Sequence, residues 1–296
     1  LAATSLGSGS APELIAGVSR RRPIRQTGGV TPITGDRRRP DLAARLLQSG
    51  ARVWIDTAIN DADDATELLR ASRQATDSGF RLPLFVVTST VGEHARIMHE
   101  GGTIRADSPL HADDAHARGK LDAFQILADQ TLIDLAWVIL PMMWGPGDHE
   151  PDGQQGRTRE VIRAIIANKP VPLCGGGRNA MPDGYVDTIA KAIIHISTTF
   201  SGSGIRRIPI AGPEPMTPAQ FVAEAGGELG IDPIIARDDG QGSSQGRSPF
   251  PGSSVTMDCT DLYMSGFAAP YDWRAGVRLT AQAELVESGR AWGCQR

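Results

Sequence analysis

His116 and Lys120 stand four residues apart in the run DDAHARGKLDAFQILAD. On a helix that spacing puts two side chains on one face, one turn apart. An imidazole exchanges protons near neutral pH, and a lysine brings a compact cation on a flexible stem. Together they form a proton-handling pair suited to acid/base chemistry. Two hydroxyls, Thr88 and Ser89, close the apolar run LPLFVVT. Open α/β sheets bind ligands at the carboxyl ends of their strands, so these hydroxyls are candidates to hold a substrate oxygen. The plainer reading is that they cap backbone groups.

Other groups carry less. His94, His99, His111 and His116 fall close together, but no pair shows the H-E-x-x-H spacing, and Gly101-Gly102 breaks the segment into a loop, so no metal site is expected. Gly7-Ser8-Gly9-Ser10 offers a glycine turn that could cradle a phosphate or serve as a surface loop. Arg20-Arg21-Arg22 is a basic cluster that suits either a phosphate or solvent. Met142, Met143 and Trp144 form an apolar trio before the turn Gly145-Pro146-Gly147-Asp148. They suit either core packing or the wall of an apolar pocket.

The elements that position these groups alternate between strand and helix. Pro12–Ala16 reads as a short helix capped by Ser10, with Val18-Ser19 left for a strand. Gly29–Asp36 reads as a strand and turn, Pro40–Ser49 as an amphipathic helix and Val53–Ala58 as a buried strand. A helix over Asp61–Ala75 and a strand over Leu82–Thr88 follow. After the His116 helix, Ile133–Leu140 is a continuous apolar run, as expected of a buried parallel strand. Helices are expected over Thr158–Asn168, over Ile189–Ser197, from Thr217 and over Thr280–Ala291, with strands at Val171–Leu173 and Arg206–Ala211. Asp238–Ser254 is Gly/Ser-rich and reads as a loop.

The 296 residues suit a large α/β unit with a small lobe. A formal charge of −4 gives no bulk signal for nucleic acid. Three widely spaced cysteines form no C-x-x-C, which fits a reducing cytoplasm. No apolar run is long enough for a membrane span, and the first residues lack the pattern of a signal peptide.

Residues 113–148 resemble the catalytic helix and following strand of the extended short-chain dehydrogenases/reductases, the NAD-dependent epimerase/dehydratase family. The likeness extends over nearly the whole chain and is strongest from about residue 105 to 220. It implies an α/β fold, a Rossmann-like doubly wound parallel sheet with a small C-terminal substrate lobe. The expected division is a nucleotide-binding core over 1–150 and its continuation with the substrate lobe over 151–296. It further implies that Gly7, Gly9, Arg20 and Asp36 face an NAD or NADP cofactor, with Asp36 on the adenine. Lys120 would bind the nicotinamide ribose, and Thr88 or Ser89 the substrate oxygen. Met142, Met143, Trp144, Tyr185 and Asp187 would line the substrate.

The chain departs from the family where the chemistry lies. His116 stands where the family has its catalytic tyrosine, and Leu140 precedes Pro141 where the family has arginine. The glycine motif lacks its third glycine, and the first strand–helix–strand unit is short. The reading drawn from this is loss of NAD(P)-dependent redox chemistry. The chain would then work on a small, largely apolar metabolite in a redox-neutral step (cyclisation, isomerisation or elimination) in bacterial specialised metabolism, with His116 and Lys120 handling protons; no cofactor is firmly implied, and NADP or NAD stays open. Two alternatives stand beside it. One is an NAD(P)-dependent sugar or polyketide epimerase or reductase with His in place of Tyr. The other is a non-catalytic ligand-binding protein or partner subunit. A small-molecule substrate and a homodimer are the expected partners.

Overall fold

The computed structural model describes residues 15–19, 30–36, 38–148, 157–200, 203–238, 248–250 and 252–289. In chain order the elements are β1 Ile15–Ser19, β2 Val30–Thr34, α1 Pro40–Leu47, β3 Val53–Asp56, α2 Ala62–Asp77 and β4 Leu84–Thr88. A short 3-10 turn, Val91–Glu93, leads to α3 Ala95–Glu100, β5 Gly102–Ile104, α4 Ala115–Ala128 and β6 Asp134–Ile139. Then come α5 Arg157–Ile166, β7 Val171–Cys174, α6 Val186–Thr199, β8 Ile205–Pro209 and α7 Pro218–Leu229. The chain continues through β9 Ile235–Asp238, β10 Val255–Met257, α8 Thr260–Met264 and α9 Trp273–Glu287.

The fold is α/β and Rossmann-like, with a parallel sheet. A four-stranded sheet has the order β3-β4-β6-β8, and β1 runs parallel to β2 from Ile15↔Val30 to Ser19↔Thr34. β3 pairs with β4 from Val53↔Leu84 to Asp56↔Val87. Two smaller parallel pairs are β5 with β10 and β7 with β9. Every residue of β6 after Asp134 is buried, as a strand covered on both faces requires.

The sequence expectations hold for most elements to within a few residues at each end. One fails at the start. Ile15 and Ala16 belong to β1, not to a helix. Five consecutive rungs to β2 outweigh a local cap signal, and β-branched Ile15 and Val18 favour the pleated geometry. A second fails at the end, where α9 starts at Trp273 rather than Thr280. Asp272 caps it by accepting from Ala275 N at 2.7 Å. Thr280 sits inside the helix, its hydroxyl donating to Gly276 O at 2.7 Å. Helix α9 stops at Glu287, short of Ala291. Helix α5 ends near Asn168, whose φ of 53° is left-handed.

The chain forms two compact units, one from Leu1–Thr88, Ala115–Trp137 and Phe200–Arg206, the other from Ser89–Asp114, Val138–Thr199 and Arg207–Arg296. The first packs α1 on α2 and α2 on α4. Its core includes Leu47, Ala65, Leu68, Phe85, Ala117, Ala123 and Trp137, all buried. Gly119 matters to this packing, because a Cβ there would run into the main-chain oxygen of Asn60. The second unit packs α7 and α5 on α9. Its core joins Trp144, Ile162, Ile165, Leu173, Tyr185, Phe221 and Val277.

Candidate active-site residues

Lys120 is the best-defined of the expected residues in the first unit. It lies on α4, is only 4% exposed, and its Nζ donates to the main-chain oxygen of Thr88 at 2.8 Å. A buried ammonium is costly unless a polar partner receives it, and a carbonyl at the carboxyl end of β4 supplies one. Thr88 itself is 4% exposed. His116 is one turn earlier on the same helix and is exposed. The helix therefore carries a lysine turned into the protein and an imidazole open to solvent.

Asp36 follows β2 and is half-buried. Its Oδ1 accepts from Arg38 N at 3.0 Å. Arg38 is a residue the sequence reading passed over. Its Nε donates to Asp64 Oδ1 at 2.6 Å and its Nη2 to Asp61 Oδ2 at 3.0 Å. The Asp64 carboxylate raises the guanidinium's pKa above its ordinary value. Asp61 also caps α2 through Asp64 N at 2.9 Å. Arg38 thus ties the turn after β2 to the start of α2. The only sequence signal was the Asp-Arg-Arg-Arg run, which reads equally well as a solvated cluster. Gly7, Gly9 and Arg20 lie outside the described residues.

In the second unit Ser89 is 4% exposed, and its N donates to Val138 O at 2.7 Å. Its hydroxyl is buried with no hydrogen-bond partner among the described residues. An orphaned buried hydroxyl needs a cause, and a ligand oxygen at a strand's end is one.

The substrate-side candidates separate by burial. Trp144 and Tyr185 are 2% and 1% exposed, with ring centroids 5.1 Å apart. Trp144 also meets Phe221 edge-on at 5.4 Å. Main-chain bonds from Trp144 N to Gly184 O at 3.1 Å and from Val186 N to Trp144 O at 2.9 Å lock the two segments together. Both rings are core, and burial holds the Tyr185 phenol up to about 12. Met143 is exposed, Met142 half-buried, and Asp187 exposed in the first turn of α6.

Of the histidines, His94 is fully buried at 0% exposure. Its Nδ1 pairs with Pro109 O at 3.0 Å, and burial lowers its pKa. Arg207 Nη1 donates to Ser108 O at 3.0 Å, so the buried His94 and the half-buried Arg207 both hold the segment before α4. His99 and His111 each bond Asp113, at 2.9 and 2.8 Å. Among the described residues no group of three or more His, Cys, Asp or Glu side chains could hold a metal ion. No described helix is long and apolar enough to cross a membrane.

Solved structures share this architecture. MoeE5 in complex with UDP-glucose and NAD matches with a TM-score of 0.67 and 19% identity, over 93% of this chain and 91% of that one. UDP-glucuronic acid 4-epimerase from Bacillus cereus, with UDP-glucuronic acid and NAD, matches with a TM-score of 0.69 and 14% identity over the same shares. The dTDP-glucose 4,6-dehydratase of Bacillus anthracis, with NAD, matches at 0.67 and 13%, over 89% of this chain and 82% of that one. These likenesses speak for the fold. No curated protein matches the chain. The model of the NAD-dependent epimerase/dehydratase family matches residues 41–208, more than half of the sequence, and the protein belongs to that family.

Proposed function

We propose that the protein is a nicotinamide-dinucleotide-dependent member of its family, acting on a hydroxyl-bearing substrate of the nucleotide-sugar kind, with His116 in the place of the usual tyrosine. The observation that carries this is the buried Lys120 amine held on Thr88 O at 2.8 Å. It is a cation fixed at the end of a strand, where the family binds the nicotinamide ribose. On that observation the first unit fits the ribose end of a dinucleotide, with Lys120 to hold it and Asp36 to meet the adenine. When bound, the dinucleotide supplies reversible hydride exchange.

The chain's own residues do the rest. An imidazole nitrogen of His116 takes the proton of the substrate hydroxyl as that carbon is oxidised, and returns it when the carbon is reduced. Neutral imidazole suits this, because it accepts a proton without first having to lose one. Lys120 orients the ribose and keeps its charge away from solvent. Within the second unit, Ser89 offers a hydroxyl to a substrate oxygen, and Met142, Met143 and Asp187 offer side chains to the rest of the substrate. Trp144 and Tyr185 support that surface from the core.

A second reading is favoured by the imidazole itself. His116 can shuttle a proton without any dinucleotide, giving a redox-neutral isomerisation, cyclisation or elimination. One experiment separates the two. UDP-glucose and UDP-glucuronic acid, the sugars held by the structural neighbours, are incubated with the protein with and without added NAD. The products are followed by NMR. Epimer formation that needs the dinucleotide and is lost in His116→Gln supports the first reading. Conversion that ignores the dinucleotide favours the second.

A further inference from the structure

Asp64 is a buried acid in the first turn of α2, and it joins two parts of the first unit. Its Oδ1 accepts from Arg38 Nε at 2.6 Å, and its Oδ2 from Asn60 N at 2.8 Å. Its own N donates to Asp61 Oδ1 at 2.9 Å, and Asp61 Oδ2 takes a second bond from Arg38 Nη2 at 3.0 Å. The guanidinium thus spans two carboxylates, a task suited to the rigid fork of arginine. A carboxylate can stay charged in a buried place when donors meet it, and here a guanidinium and a peptide N–H do.

The contacts run on in both directions. Towards β2, Arg38 N donates to Asp36 Oδ1 at 3.0 Å and Arg39 N to Asp36 O at 2.9 Å, so the Arg38 anchor fixes the turn that carries Asp36. Towards α4, Asn60 is held through its N by Asp64, and its side-chain amide donates to Ala58 O at 3.1 Å. The main-chain oxygen of Asn60 then lies against Gly119 of α4, where any Cβ would collide with it. The next residue is Lys120, seated on Thr88 O at 2.8 Å.

We propose that Arg38 is a positioning residue for the dinucleotide: through Asp64 and Asn60 it sets the Asp36 turn and the Lys120 helix in one fixed relation. This rests on the dinucleotide reading of the protein, which gives Asp36 to the adenine and Lys120 to the ribose. The two residues stand on separate elements. A ligand that must meet both binds more tightly when their separation is already set. Arg38 acts through the residues it holds. Its side chain is 44% exposed, and α2 keeps its buried apolar face, Ala65, Leu68 and Leu69, without it.

The test uses the full chain and begins without ligand. Amide hydrogen exchange is compared in the wild type, Arg38→Gln and Arg38→Lys. In Arg38→Gln, exchange should quicken by about fivefold or more over residues 58–64 and over residues 116–121, with β3 as in the wild type. Faster exchange confined to residues 36–39 overturns the proposal. Calorimetric titration with NAD and NADPH then reads the effect on the ligand. Arg38→Gln should bind about tenfold more weakly, and Arg38→Lys, which keeps the charge, should recover part of the loss. In a Lys120→Met background Arg38→Gln should cost less than it does alone, because the residue it helps to place has gone. Unchanged affinity in Arg38→Gln, or fully additive losses, overturns the proposal. A wild type that binds neither dinucleotide removes the dinucleotide reading and the positioning role with it, while the exchange result shows separately whether the tie to α4 exists. If Arg38→Gln does not fold, Arg38→Lys decides: wild-type exchange and wild-type affinity together overturn the proposal, and a partial loss of both supports it.

Discussion

Lys120 reaches from α4 to the main-chain oxygen of Thr88, closing a 2.8 Å hydrogen bond while only 4% of the residue meets solvent. The bond fixes an ammonium at the carboxyl end of β4. Replacing Lys120 with Met keeps most of the stem's volume and removes the charge. Dinucleotide affinity should fall tenfold or more. The lost bond leaves the Thr88 carbonyl short of a donor, at a cost of about 1–3 kcal/mol. Calorimetric titration and thermal melts on the same samples measure both effects.

His116 is exposed on the first turn of α4, so its removal should cost little stability. His116→Gln is expected to stay within about 0.5 kcal/mol of the wild type. Its turnover should drop by about 100- to 10,000-fold, the usual share of a positioned general base. His116→Tyr, which restores the family residue, should retain activity. Steady-state kinetics of the three proteins check this, and a Gln variant with full activity would remove His116 from the chemistry.

Trp144 is 2% exposed and packs on Tyr185 and Phe221. Truncation to Ala should cost about 3–5 kcal/mol, the range for a large aromatic in a core. Urea unfolding measures it. A loss below about 1 kcal/mol would place the indole in a yielding pocket wall instead.

The buried His94 sets a pH limit on the second unit. Burial, with Arg207 adding to it, lowers its pKa in the fold. The unfolded chain therefore binds the proton first as pH falls. Its contribution to stability is complete above the ordinary imidazole value of 6.5 and is lost as pH falls through the lowered folded value. Asp183 works the other way. Its carboxyl, raised by burial, contributes fully below the ordinary carboxyl value of 3.8 and loses that share as pH rises through about 6. His94→Asn can still donate to Pro109 O and does not titrate. It should flatten the acid side of a stability–pH curve followed by urea midpoints, leaving the neutral side unchanged.

The family and most of the longer strands and helices were legible in the sequence, because each rests on long apolar periods or on an ordered set of motifs, whereas the short α3, β5, β9 and β10 were not, and β5 starts at Gly102 where a loop was expected. Thr217, for example, caps α7 as its sequence announces, completing a capping box with Gln220. The first strand was misread because Ser10, Pro12 and Glu13 spell a local helix start, whereas the five rungs from β1 to β2 are a long-range preference. Helix α9 starts seven residues before the expected position: its cap is Asp272, two residues after a proline, and Thr280 lies inside the helix.

Among the site residues, spacing alone placed His116 and Lys120 on one helix. It could not show that Lys120 turns inward to a carbonyl. Nor could it show that Trp144 and Tyr185 belong to one another in the core. Arg38, His94 and Asp183 escaped notice as partners, because what distinguishes them is burial and the atoms they meet.

The central claim is that the protein holds a nicotinamide dinucleotide through Lys120. It is tested most directly by isothermal titration of the purified full chain with NAD and with NADPH, beside Lys120→Met. Saturable one-site binding of at least one dinucleotide, at about micromolar Kd or a little weaker, is expected, with clear weakening in the variant. Absence of binding by either dinucleotide up to about 1 mM in the folded wild type would contradict it.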